Sequence, residues 1–184
     1  MLPLMRGAKG IRDRALLLIG FAAALRRSEL VALNVEDLQF VKEGLIINLR
    51  ISKTDQEGQG RKIAVPYGRT SACPVKAIQD WMKHAQITRG PLFPPVGKGG
   101  RIGVAALSGQ SVALIIKAYA EAIGLPTSNT SGHSLRSGLV TSAAQAGVAI
   151  HKIQAQSGHR SLQMLFRYIR DANLFEDNAA GLLL

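Results

Sequence analysis

The sequence predicts an α+β fold, mainly α-helical, with one small antiparallel β-sheet near residues 38–66. Three observations predict it. Apolar residues recur at helical spacing over most of the chain. Between Leu38 and Val65 the pattern changes to short alternating, β-branched segments. Most of the Gly- and Pro-rich punctuation falls between these blocks. With 184 residues, 47% of them hydrophobic, the chain can bury one sizeable core, and a single globular domain is expected.

The elements follow in order. Ile11 to Leu25 reads as an almost wholly apolar helix that belongs in the middle of the core. Arg26 to Leu30 breaks the apolar run, with Ser28 as the expected N-cap of a short helix through Ala32. The segments LQFV, LIINLRI and RKIAV then read as strands, separated by Lys-Glu-Gly and by the polar stretch Asp55 to Gly60. Ser71 is the capping candidate for a helix that Pro74 opens and that runs to about His84. GPLFPPVGKGGRIG is too rich in Gly and Pro to be regular and reads as a surface loop. Ser108 to Ile123 is an amphipathic helix stopped by Gly124 and Pro126. Further helices are expected at about Ser134 to Ala146, Ala149 to Gln156 and Leu162 to Arg170, with a last one toward Leu184. No internal repeat or low-complexity tract interrupts this order.

Charge narrows the function. The chain has 23 basic and 12 acidic residues, a formal net charge of +11, and a sequence pI near 10.4. That balance favours a polyanionic partner such as nucleic acid. A single cysteine, Cys73, excludes an internal disulfide framework and points to a reducing, cytoplasmic setting; it reads as a structural or surface thiol. The run ALLLIGFAAAL follows basic residues as a signal peptide would, yet it is too short to span a bilayer, and two arginines stand where a cleavage site needs small residues. No membrane partner is expected. One cysteine and four scattered histidines offer no zinc spacing, so neither a metal nor a cofactor is expected. Gly97-Lys98-Gly99-Gly100 lacks the ending of a P-loop, and no serine stands in a nucleophile-elbow context.

Five polar stretches stand out: Leu25-Arg26-x-Ser28-Glu29-Leu30, Ser52-Lys53-Thr54, His133-x-x-Arg136, Gly158-His159 and Tyr168. Singly each is weak, since HxxR is an ordinary pair on a helix and a lone tyrosine is usually an amphipathic core residue. Together and in this order, over essentially the whole chain, the set resembles the tyrosine recombinases of the phage integrase family. The resemblance implies that family's catalytic-domain fold over residues 1–184, without the helical N-terminal domain that closes over DNA in family members. It also implies cleavage and rejoining of double-stranded DNA through a 3′-phosphotyrosyl link at Tyr168, without metal or ATP. A monomer alone and a tetramer on paired DNA sites are expected.

The chemistry suits these residue types. Charge on the non-bridging oxygens of a reacting phosphodiester needs fixed donors, and a guanidinium fork holds two oxygens at once without a metal. The resemblance assigns Arg26 and Arg136 to this clamp and prefers Arg26 to its neighbour Arg27. Glu29 would orient the clamp by accepting a hydrogen bond. Lys53 resembles the family lysine that protonates the departing 5′ hydroxyl, with Lys62 as the competing choice. His133 shares a helix turn with Arg136 and can accept the tyrosine proton or donate to phosphate, while His159 resembles a second donor. His84 and His151 match nothing. A phenol ionises near pH ~10, so Tyr168 needs nearby cations or a base to become a nucleophile. Candidate DNA contacts are Ser108, Gln110 and Lys117 on the amphipathic helix, and Arg160. Two other readings share these features: a type IB topoisomerase, which would relax supercoils without a specific site, and a non-enzymatic DNA-binding protein.

Overall fold

The computed structural model describes residues 6–50, 60–128 and 130–172. Its elements are α1 (Gly7–Ala22), α2 (Arg27–Ala32), β1 (Leu38–Val41), β2 (Gly44–Leu49), β3 (Arg61–Pro66), α3 (Pro74–Ala85), α4 (Gly109–Ala122), α5 (Ser134–Gln145), α6 (Ile150–Ser157) and α7 (Leu162–Ala172), with short 3-10 turns at Val35–Asp37 and Lys98–Gly100. The strands form one antiparallel sheet in the order β1-β2-β3, aligning Leu38 with Ile47, Ile47 with Ile63, and Leu49 with Arg61. No helix among the described residues is long and apolar enough to cross a membrane.

Helix α1 is the central element, packing against α2, α3 and α5. Its Leu16 and Ile19 lie in one cluster with Leu30 of α2, Leu45 and Ile47 of β2, Ile63 of β3, and Ile78 and Trp81 of α3. Gly20 allows the close approach of α5, because a Cβ there would stand 2.7 Å from Leu135 Cδ1. A smaller cluster of Val140, Ala144, Ile153 and Leu165 joins α5, α6 and α7, and Tyr168 packs against it. Leu25 and Leu30 of the first cluster border the Arg26–Glu29 turn, and Leu165 of the second lies one helical turn before Tyr168.

Several boundaries differ from the sequence expectation. Helix α1 begins at Gly7 and ends at Ala22, three residues before Leu25. Ala24 then takes a left-handed conformation with φ 50°, which breaks the helix despite the apolar residues that follow. Arg26, not Ser28, is the N-cap of α2, and the first-turn carboxylate of Glu29 accepts from its backbone N–H. The cap of α3 is Cys73, not Ser71: its buried Sγ accepts from Gly68 and Lys76. The segment after α3 is irregular, as expected, but it is not only surface, since Leu92 and Phe93 are core residues and the Leu92 carbonyl accepts from Trp81 Nε1 at 2.7 Å. The expected last helix toward Leu184 lies outside the described residues.

A buried polar group inside α1 was not apparent from sequence. Arg12 and Asp13 are each 3% exposed; Arg12 Nε donates to Asp13 Oδ1 at 2.8 Å, and Tyr119 Oη of α4 donates to Asp13 Oδ2 at 3.5 Å. Burial raises the Asp13 pKa against the opposing pull of Arg12. Burial and the Asp13 charge together push Tyr119 up to about 12.

Candidate active site

Arg26 sits where the chain turns from α1 into α2, and Glu29 secures it twice. Its backbone N–H donates to Glu29 Oε2 at 2.8 Å, and its Nη1 donates to Oε1 at 2.6 Å. The Glu29 side chain is 1% exposed, and a second cation, Arg61 Nη2, lies 3.6 Å from its Oε2. Arg27 diverges from this pair: its stem runs against Gly109 and Gly132, where a Cβ at Gly132 would lie 2.6 Å from Arg27 Cδ.

Arg136 reaches the same place from the first turn of α5 and is buried there, not on a solvated helix face. Its Nη1 donates to the carbonyls of Ala24, at 3.0 Å, and of Ser157. Burial, and then repulsion from Arg26, lower its pKa to about 10, which leaves it a cation at neutral pH. Burial also lowers the pKa of Arg61, with Glu29 opposing the shift. Two guanidinium groups, of Arg26 and Arg61, therefore pair with one buried carboxylate, and that of Arg136 lies within its electrostatic reach. Nη2 of Arg61 and Nη2 of Arg136 are both buried without a hydrogen-bond partner among the described residues. Such a group has excess positive charge and unfilled donors, the complement of a phosphodiester.

Helix α6 ends beside this cluster. Gly158 takes the left-handed C-cap conformation, with φ +64°, and delivers His159 into a largely buried position. Ser157 Oγ donates to the Ile153 carbonyl at 2.7 Å and stands 2.7 Å from His159 Nδ1. The serine proton is used on the carbonyl, so His159 Nδ1–H is the donor to Oγ, and Nε2 of the neutral ring keeps its lone pair. Burial, then Arg136, Arg26 and Arg61, lower the His159 pKa to about 4. In the absence of an anion Nε2 is thus an acceptor. Acting as a donor to phosphate requires the ring to take up a proton, which an adjacent phosphate charge favours.

Tyr168 lies on α7, half-buried, with its ring centroid 6.1 Å from that of His159 and the rings tilted by 49°. The structure thus brings together Arg26, Glu29, Arg136, His159 and Tyr168, from four separate segments. His133 is different: it is the exposed N-cap of α5, and its ring has no hydrogen-bond partner among the described residues. Lys53 lies outside the described residues. Lys62 is exposed on β3, on the strand face opposite Arg61. Of the candidate DNA contacts, Ser108 caps α4 by accepting from Ser111 N at 3.1 Å, while Gln110, Lys117 and Arg160 are exposed. His84 and His151 are exposed away from these groups.

Arg61 is the member that the sequence motifs missed. The signal was present in the strand alternation, because Ile63 and Val65 face inward and the same period turns Arg61 inward.

A family profile described as the phage integrase family matches residues 2–174. An integrase/recombinase of Selenomonas ruminantium described as a xerD homolog is 46% identical over 171 residues, covering 92% of this chain and 50% of that protein. The tyrosine recombinase XerC of Syntrophus aciditrophicus is 34% identical over 178 residues, covering 91% of this chain and 51% of that one. The chain spans about half the length of these relatives. Among solved structures, a XerH site-specific recombinase bound to its palindromic difH substrate after cleavage superposes with a TM-score of 0.76 at 18% identity, covering 97% of this chain and 47% of that one. That likeness extends the shared fold over almost the whole chain.

Proposed function

This chain belongs to the phage integrase family, and from that premise we propose that it carries the strand-cleaving and rejoining chemistry of a site-specific DNA recombinase. The observation that carries the reading is the cluster of Arg26, Arg61 and Arg136 near Glu29, with two buried guanidinium nitrogens that have no hydrogen-bond partner among the described residues, beside His159 and Tyr168. Arg26 and Arg136 hold the non-bridging oxygens of the scissile phosphate and stabilise the charge that builds there. Tyr168 Oη attacks phosphorus as the bond to the 5′ oxygen breaks, and a proton passes to that oxygen. A 3′-phosphotyrosyl link and a 5′ hydroxyl result, and the reverse attack by a 5′ hydroxyl reseals the strand. His159 Nε2, with its lone pair free, supports a second role beside donation to phosphate, as acceptor of the phenol proton. Lys53 is proposed as the donor to the 5′ oxygen, and His133 as a residue that reaches the phosphate once DNA is bound.

Double-stranded DNA is the proposed partner, with Gln110, Lys117 and Arg160 contributing to a largely electrostatic surface. A monomer in solution and four protomers on paired sites belong to the same proposal. The test is covalent capture on a pool of nicked duplexes with randomised sequence around the nick, read by denaturing electrophoresis and by sequencing the captured strands. The wild-type chain should form an adduct and Tyr168→Phe should not, although its DNA affinity stays within about twofold, because only an uncharged hydroxyl is lost. An adduct with the Phe variant would remove Tyr168 as nucleophile. Relaxation of plasmids irrespective of sequence would favour topoisomerase chemistry instead.

A further inference from the structure

We propose that Arg61 is a positioning residue of the cleavage site, clamping the turn that carries His159 onto the Arg26–Glu29 pair; this rests on the cleavage reading above. Arg61 occupies the inward position at the start of β3, opposite Leu49. From there Nη1 donates to the Gln156 carbonyl at 3.1 Å, and Nη2 lies 3.6 Å from Glu29 Oε2. One planar group thereby ties the sheet to α2 and to the end of α6. Gly158 rests directly on it: a Cβ at that position would stand 2.3 Å from Nη1 and 2.7 Å from Cζ.

The last carbonyls of a helix lack intrahelical donors and attract cations. At the end of α6, Arg61 takes the Gln156 carbonyl and Arg136 takes that of Ser157, so the turn leading to His159 is gripped by two guanidinium groups. The Gln156 amide adds a third tie, donating to the Ala22 carbonyl at 2.8 Å and the Ala64 carbonyl at 3.3 Å. Three residues beyond the Arg61 contact, the His159 ring is oriented by Ser157. Only a forked group can serve the Gln156 carbonyl and Glu29 together, so an ammonium on the same strand position cannot replace it.

The test compares Arg61→Met, Arg61→Lys and the control Lys83→Met, exposed on α3, each checked for wild-type circular dichroism. Two quantities are read: the covalent capture rate at saturating nicked duplex from the randomised pool, and the side-chain NMR resonances of His159 without DNA. Arg61→Met should slow capture by about ten- to a hundredfold, as misplaced reacting groups do. Its affinity should stay within about threefold, the loss of at most one buried charge. The His159 resonances should move. Arg61→Lys should fold but recover little of the rate, and Lys83→Met should behave as wild type. If Arg61→Met fails to fold, Arg61→Lys decides. Capture at the wild-type rate by either folded Arg61 variant overturns the proposal, as do His159 resonances that stay where they are. Displaced His159 resonances in a chain whose wild type captures no duplex would uphold the positioning role and sink the cleavage reading instead.

Discussion

Glu29 accepts two hydrogen bonds from one residue, the backbone N–H and the guanidinium of Arg26, and is the carboxylate shared by the surrounding cations. It therefore fixes Arg26 in place and offsets charge that would otherwise drive the arginines apart. Replacing it with Gln keeps the shape and removes the charge. Loss of one partner from a buried ion pair costs about 3–5 kcal/mol, so Glu29→Gln should be clearly less stable in urea unfolding. Because an anion can replace the missing charge, duplex DNA should raise its melting temperature more than that of the wild type. An equal rise in both would mean that the duplex phosphates do not reach this cluster.

Arg136 makes a different use of its fork. Nη1 donates to two carbonyls from segments far apart in the chain, and Nη2 is buried with no hydrogen-bond partner among the described residues. Arg136→Lys preserves the charge but cannot do both. Cleavage of nicked duplex should fall by about a hundredfold or more, comparable to losing an oxyanion donor. Affinity, dominated by surface phosphate contacts, should change little. Near-wild-type capture by the Lys variant would remove Arg136 from the clamp.

Legibility in the sequence depended on the kind of signal. Periodicity located α1, α4 and the three strands because burial of an apolar face dictates spacing along the chain. The motif order brought out Arg26, Glu29, Arg136, His159 and Tyr168, which the fold gathers in one place. Caps were less legible. Ser28 and Ser71 are good cap residues in isolation, but local bonds from Arg26 N–H to Glu29 and from Lys76 N–H to the buried Cys73 sulfur set the helix starts at other positions. Leu92 and Phe93 enter the core from a segment whose Gly and Pro content suggests surface, since composition reports backbone irregularity and not burial. Arg61 escaped notice because its partners, Glu29 and Gln156, are distant in sequence, and only the strand alternation marks it.

The Arg12–Asp13 pair inside α1 should be a stability element independent of catalysis. Asp13→Ala leaves the Arg12 guanidinium buried with, among the described residues, the Pro94 carbonyl at 3.5 Å in place of a carboxylate. An uncompensated buried charge of this kind costs about 3–5 kcal/mol. Replacing both residues, as Arg12→Met with Asp13→Leu, should recover much of that loss, because two apolar groups need no partner. Urea midpoints for the single and double variants measure this. A loss under about 1 kcal/mol in Asp13→Ala would show that water reaches Arg12 and screens it.

His159 should make both stability and DNA binding depend on pH, with opposite signs. Its folded pKa of about 4 lies below the ordinary 6.5, because burial and three guanidinium groups oppose the charged ring. Above pH ~6.5 the ring is neutral in both folded and unfolded chains, and its full contribution to stability is present. As pH falls from there toward ~4 the unfolded chain takes up a proton that the folded chain refuses, so stability is lost through that window. Below it both states are protonated and the loss stops. The full gap corresponds to an upper bound of roughly 3 kcal/mol, reduced by whatever solvent reaches the ring edge. Other groups titrate in the same range, so the comparison is with His159→Asn, whose amide can still donate to Ser157 Oγ but cannot titrate. The wild type should lose more stability than this variant between pH 7 and pH 4.5. Binding runs the other way: a phosphodiester beside Nε2 favours the protonated ring, so association takes up a proton. Duplex affinity should then rise more steeply on acidification in the wild type than in His159→Asn. Parallel binding curves for the two proteins would show that the phosphate does not approach the ring.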